Sequence, residues 1–174
     1  LSQVAPDTEL VLSINAQSRF ETAYQLTKDA FSVHPQINVI FAINDTTAWG
    51  AIQACKELGV DPDHCIVVSS GLEGDTLKDA IMAGTYCRAG LAMFPELIGP
   101  VCAEAAIRLY NDQPLPADLV TPHAVLHREN LNQYYERTDF GWQLRWNKAL
   151  ADLPLPFALD LKHATIPGRL PKRL

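Results

Sequence analysis

The sequence predicts an α/β fold on a Rossmann-like, doubly wound parallel sheet, and three observations predict it. Short apolar, β-branched runs alternate with amphipathic helical stretches along most of the chain. Two helical stretches run out on glycines, Gly59 and Gly84, which take the left-handed cap conformation without cost. The run from Val39 to Ile43 is framed by a His34-Pro35 turn and a polar Asn44-Asp45 step, as in a strand covered on both faces that feeds a helix. Repeated β-then-α units of this length imply parallel pairing.

In order, Glu9 to Ile14 reads as a first strand. Phe20, Ala23, Tyr24, Thr27 and Phe31 then mark one helical face at three-and-four spacing. After the strand Val39 to Ile43, Ala48, Ile52, Cys55 and Leu58 form the inner face of the next helix. Asp45 is the expected cap of that helix, which leaves Asn44 at the carboxyl end of the strand. Cys65 to Ser69 is a third strand, followed by a helix from about Asp75 with Leu77, Ala80 and Ile81 inside. A fourth strand covers Tyr86 to Ala92. The helix opened by Pro95 is expected to bury Leu97, Ile98, Val101, Cys102, Ala105 and Leu109. Gln113 to Pro116 is a linker, Val120 to Leu126 a further strand, and Asn130 to Tyr135 a short helix.

Beyond Trp146 the periodicity fades. Leu153-Pro154-Leu155-Pro156 and Pro167-Gly168 oppose regular helix, so residues 148–174 read as an extended tail on a domain of residues 1–147. The chain does not begin with Met, and Leu1 to Val4 reads as the last turn of a helix, so a piece of a longer protein is expected. It shows neither the basic start and apolar core of a signal peptide nor an apolar run long enough to span a bilayer.

The net charge of −6 and pI near 5.3 argue against direct nucleic-acid contact. Positive charge gathers only in Arg169, Lys172 and Arg173. The cysteines Cys55, Cys65, Cys87 and Cys102 lack metal-like spacing and read as small buried hydrophobes. A Cys55–Cys65 disulfide stays open to the chain in an oxidising compartment. Ser69-Ser70-Gly71 lacks the leading glycine of a nucleophile elbow, and Gly71 and Gly74 do not make a dinucleotide fingerprint. His123 and His127 fall on one face of a strand without a metal-binding context. No enzyme chemistry, cofactor or metal is expected.

Open α/β sheets bind ligands at the carboxyl ends of their strands. Those ends carry Asn15, Arg19 and Phe20; Asn44, Asp45 and Trp49; Gly71 and Glu73; and Met93 and Phe94. Amides, carboxylates and arginine match hydroxyl pairs, and aromatic faces cover the C–H side of a sugar ring. Each residue also has a purely structural reading: Asp45 as a cap, Trp49 on the sheet, Phe20 in the helix stripe.

The motif Asn44-Asp45-x-x-Ala48-x-Gly50-Ala51, after a hydrophobic strand and a His-Pro turn, resembles the type I periplasmic binding proteins for sugars. LacI-type repressor effector domains share that fold. The resemblance runs from about Glu9 to about Tyr135 and implies the C-terminal lobe of a two-lobe clamp. It further implies Asn44 on a sugar hydroxyl, an ABC permease or membrane sensor as partner, and a periplasmic or extracellular location, membrane-associated in Gram-positive-like cells. A repressor would instead be cytoplasmic.

The chain departs from that family at two places. Gly71 stands where ribose-type proteins carry an Asp that grips hydroxyls, and Met93-Phe94 precede Pro95 where a polar residue is usual. Either Glu73 reaches back as a substitute or the hydroxyl contact is absent. Both changes point to a ligand less polar along one edge than ribose.

Overall fold

The computed structural model describes residue 3, residues 5–157 and residue 159. The expectations for Leu1 to Val4, Pro167-Gly168 and the basic residues Arg169, Lys172 and Arg173 fall wholly or mostly outside them.

The helix α1 (Phe20–Val33) leads to β1 (Val39–Ala42) and α2 (Asp45–Glu57). Then follow β2 (Ile66–Ser69), α3 (Asp75–Ala83), β3 (Cys87–Ala92) and α4 (Pro95–Tyr110). The strands pair in the order β1-β2-β3, all parallel, and β4 (Ala124–His127) adds antiparallel to β3. This is the expected α/β fold with a parallel sheet. Gly59 (φ 67°) follows the end of α2 and Gly84 (φ 69°) caps α3, as their positions require.

The sheet has one well-covered face. In register, Ala42, Ser69 and Gly90 point toward it, and so do Val67, Cys87 and Leu126. There they meet Ala48, Ile52 and Cys55 of α2 and Leu77 and Ile81 of α3, in one core cluster. The other face carries Val39, Phe41 and Val125, all more than half exposed. The expectation that β1 is covered on both faces is therefore corrected: among the described residues only one face is covered.

The expected strand Glu9 to Ile14 is also corrected. Among the described residues the segment has no strand partner, and Leu10, Leu12 and Ile14 are exposed. Alternating apolar residues favour an extended chain, but a strand exists only through a neighbour that takes its hydrogen bonds. Likewise α4 buries Leu97, Val101 and Ala105 but exposes Ile98, Cys102 and Leu109. Leu58 of the expected α2 face is exposed as well.

After β4 come α5 (Leu131–Tyr134), a hairpin of β5 (Tyr135–Thr138) and β6 (Gly141–Leu144), and α6 (Trp146–Asp152). Regular structure thus continues past Trp146, and neither the hairpin nor α6 was legible in the periodicity. The hairpin is held to α3 by polar contacts. Trp142 donates its backbone N–H to Asp75 at 3.0 Å and its indole N–H to Asp79 at 2.9 Å, and Arg137 bridges the same two carboxylates.

Candidate functional site

At the carboxyl rim of the sheet, the cap expected of Asp45 falls to its neighbour. Asn44, not Asp45, is the N-cap of α2: its Oδ1 accepts from the Thr47 N–H at 3.0 Å, within a capping box. Its amide nitrogen donates to no protein group among the described residues. Asp45, freed from capping, reaches the next rim loop, where Oδ2 accepts from the Gly74 N–H at 2.8 Å. Its other oxygen, Oδ1, is buried and has no partner, as is Ser69 Oγ.

Gly71 makes room for this arrangement. A Cβ built there would lie 2.9 Å from Glu73 Oε2 and 3.1 Å from Asp45 Oδ1, and φ is 155°. The space that a side chain at position 71 would enter is thus already taken by the Glu73 carboxylate, which reaches back over the glycine. Burial, and the neighbouring Asp45 carboxylate, hold the Glu73 carboxyl above its ordinary value of 4.5.

This arrangement gives a pH signature. A carboxyl raised in the folded state stabilises the fold fully below about pH 4.5. That contribution is lost as pH rises through the folded value. Glu73→Gln keeps a neutral donor at every pH, so its melting temperature relative to the parent should climb from pH 4 to 7. A difference that stays flat with pH would separate Glu73 from Asp45.

One contributor was missed in the sequence. Lys78 is 1% exposed, donates to the Glu73 carbonyl at 2.9 Å and the Gly74 carbonyl at 3.3 Å, and lies 4.5 Å from the Tyr135 ring centroid. It fixes the loop that carries Glu73. Burial lowers its pKa against the opposing pull of Glu96, Asp45, Asp75 and Glu73. The available signal was its place on the inner face of α3, three residues before Ile81.

The structure thus brings Asn44, Asp45, Gly71 and Glu73 together. Met93 is exposed at the end of the neighbouring strand β3. Arg19 is exposed at the start of α1, and Asn15 Oδ1 folds its own loop by accepting from the Gln17 N–H at 2.9 Å. Phe20 stacks on Tyr24, and its carbonyl abuts Gly50, about 9 Å along α2 from Asn44. Phe94 is fully buried against Tyr134 and Tyr135, so it presents no face at the rim, while Trp49 is partly buried, packed against the core with Lys56 over its ring. Aromatic residues go where the most apolar area is removed from water, and here that is the core.

Two concavities, of about 390 and 490 Å³, lie elsewhere and include none of the four rim residues. The rim holds the Asp45 and Glu73 carboxyls beside the Asn44 side chain.

Residues 1–114 match the model of the periplasmic binding protein domain family. The chain belongs to this family. It is 27% identical over 118 residues to the ribose import binding protein of Bacillus subtilis (strain 168), covering 67% of this chain and 37% of that protein. It also resembles the crystal structure of an ABC transporter periplasmic solute binding protein from Actinobacillus succinogenes 130z with bound D-allose. There the TM-score is 0.68 and the identity 25%, over 74% of this chain and 45% of that one. The fold is shared with a 5-methylthioribose transporter solute binding protein from Thermotoga lettingae TMO, at TM-score 0.67 and 21% identity, over 76% of this chain and 42% of that one. This member of the periplasmic binding protein family therefore spans less than half the length of these relatives, and its sheet matches one lobe of their fold.

Proposed function

We propose that the chain supplies one wall of a sugar-type binding site in a solute-binding protein that serves ABC-type uptake. The observation that carries this reading is the rim cradle, in which Asn44, Asp45 and Glu73 converge over Gly71. A hydroxyl both donates and accepts, so a vicinal pair is matched by carboxylate acceptors beside an amide donor. The exposed Met93 supports a ligand with one apolar edge. Glu73 takes the part of a carboxylate that position 71 does not provide.

The second wall belongs to a second lobe. Closure follows because a ligand touching both lobes binds the closed state more tightly than the open one. An ABC permease or membrane sensor would read that closed form, which sets the protein outside the cytoplasm. No helix among the described residues is long and apolar enough to cross a membrane. Relatives named for solute binding and transport favour this reading over a repressor effector domain. The chain's role is capture and release, not turnover.

The test is a thermal-shift series on the full-length protein with pentoses, hexoses, their deoxy derivatives and polyols. A true ligand at a hundredfold its Kd adds about 2.7 kcal/mol of stability. The shift should shrink in Asn44→Ser, which keeps the helix cap but removes the amide. A shift of unchanged size in that variant would take Asn44 out of the site.

A further inference from the structure

We propose that Lys78 is a positioning residue of the rim site, aiming the Asp45 carboxylate at the ligand through one shared peptide plane. The proposal rests on the sugar-binding reading above. The peptide is the one that joins Glu73 to Gly74. Its carbonyl accepts from Lys78 Nζ at 2.9 Å, and its N–H donates to Asp45 Oδ2 at 2.8 Å. The peptide is trans, so these two groups point in opposite directions from one rigid plane. Lys78 on one side and Asp45 on the other therefore fix a single orientation of that plane. A turn that breaks one bond breaks both.

Lys78 is itself held in place. Its ammonium makes a second bond, to the Gly74 carbonyl at 3.3 Å, and lies 4.5 Å from the centroid of the Tyr135 ring. The face of that ring attracts a desolvated cation. Tyr135 is fully buried and stacks on Phe94 at 5.9 Å with an interplanar angle of 4°. Its hydroxyl donates to Glu96 Oε2 at 3.3 Å. Burying an ammonium is costly unless its donors find partners, and here they bond two inward-facing carbonyls. An apolar side chain of the same length would fill the space and leave the Glu73 carbonyl without that donor.

The consequence falls on Asp45. With Oδ2 on the Gly74 N–H, Oδ1 is directed to the space over Gly71, 3.1 Å from where a Cβ there would stand. Glu73 Oε2 is 2.9 Å from the same point. Were the peptide free to turn, Oδ2 would lose its donor and the carboxylate its fixed direction. Lys78 touches no ligand and acts only through the peptide and Asp45.

The test measures, by calorimetry on the full-length protein, the affinity of a sugar that passes the thermal-shift series. Lys78→Met, which keeps the apolar stem, is compared with Asp45→Asn and with the two together. Lys78→Met should weaken binding about tenfold in the parent but less than about twofold in Asp45→Asn, where no charged oxygen is left to aim. Equal losses in both backgrounds would mark a general structural role and overturn the proposal. A second reading needs no ligand. Hydrogen exchange of the Gly74 amide should be about tenfold faster or more in Lys78→Met, with the Val67 amide of β2 unchanged. Unchanged exchange at Gly74 overturns the proposal. If Lys78→Met does not fold, Lys78→Gln, a shorter and uncharged side chain, replaces it in both measurements. Asn44→Ser separates this role from the reading beneath it. Unchanged affinity there overturns the rim site and the role of Lys78 with it, whereas a loss there beside none in Lys78→Met overturns Lys78 alone.

Discussion

Gly50→Ala destabilises the protein by about 2 kcal/mol, although alanine is the better helix former by about 1 kcal/mol. Gly50 sits inside α2 where α1 crosses it, and it is buried. A Cβ there would lie 2.6 Å from the Phe20 carbonyl oxygen, 2.9 Å from Ala23 Cβ and 3.0 Å from the Tyr24 nitrogen. The first and last of these are backbone atoms, so no side chain can swing away. The helices must part, and the contact of Ala23, Thr27 and Phe31 with the core loosens. The same substitution at Gly99 in α4, where nothing lies within 4 Å, should stabilise by up to about 1 kcal/mol. Urea unfolding of the two variants checks both signs. A neutral Gly50→Ala would mean that α1 is free to shift on α2.

Asp45→Asn weakens ligand binding about ten- to a hundredfold, the loss expected for one hydrogen bond to a charged group. The carboxylate uses one oxygen on the Gly74 N–H and leaves the other buried and unpartnered beside Glu73. An amide has a single acceptor. Held with its oxygen on the Gly74 N–H, it has no charged acceptor left to offer a ligand hydroxyl in place of Oδ1. The fold should persist, because the Asn44 cap and the α2 core contacts are untouched. Calorimetry with a sugar that passes the thermal-shift series measures the loss. Asp63→Asn, an exposed partner of Arg88 far from the rim, serves as the control and should bind as the parent does. Equal affinity in both variants would place the ligand elsewhere.

The rim was legible in the sequence as a place but not as a set of contacts. Asn44, Asp45, Gly71 and Glu73 lie at strand ends that alternation of strand and helix locates directly. Which oxygen meets which donor depends on how two loops, 29 residues apart at Asp45 and Gly74, come to lie side by side. No local pattern carries that distance, so the contact of Asp45 with Gly74, and with it the passing of the cap to Asn44, could not be read. Lys78 was overlooked for a related reason. A lysine is presumed to be solvated until carbonyls and an aromatic face are seen to replace its water.

By itself the sequence determined the α/β class, the order of the elements from α1 to β4, their glycine stops and the strand ends that carry the candidate site. Those follow from local periodicity and backbone preference, which are properties of neighbouring residues. Only the tertiary structure decided that Phe41 is exposed while Phe94 is buried, and that residues 9–14 find no strand partner among the described residues. It alone decided that β5 and β6 dock on Asp75 and Asp79, and that Glu73 fills the space over Gly71. An apolar or charged side chain states what environment it favours. Only the packing of distant segments states whether that environment is supplied.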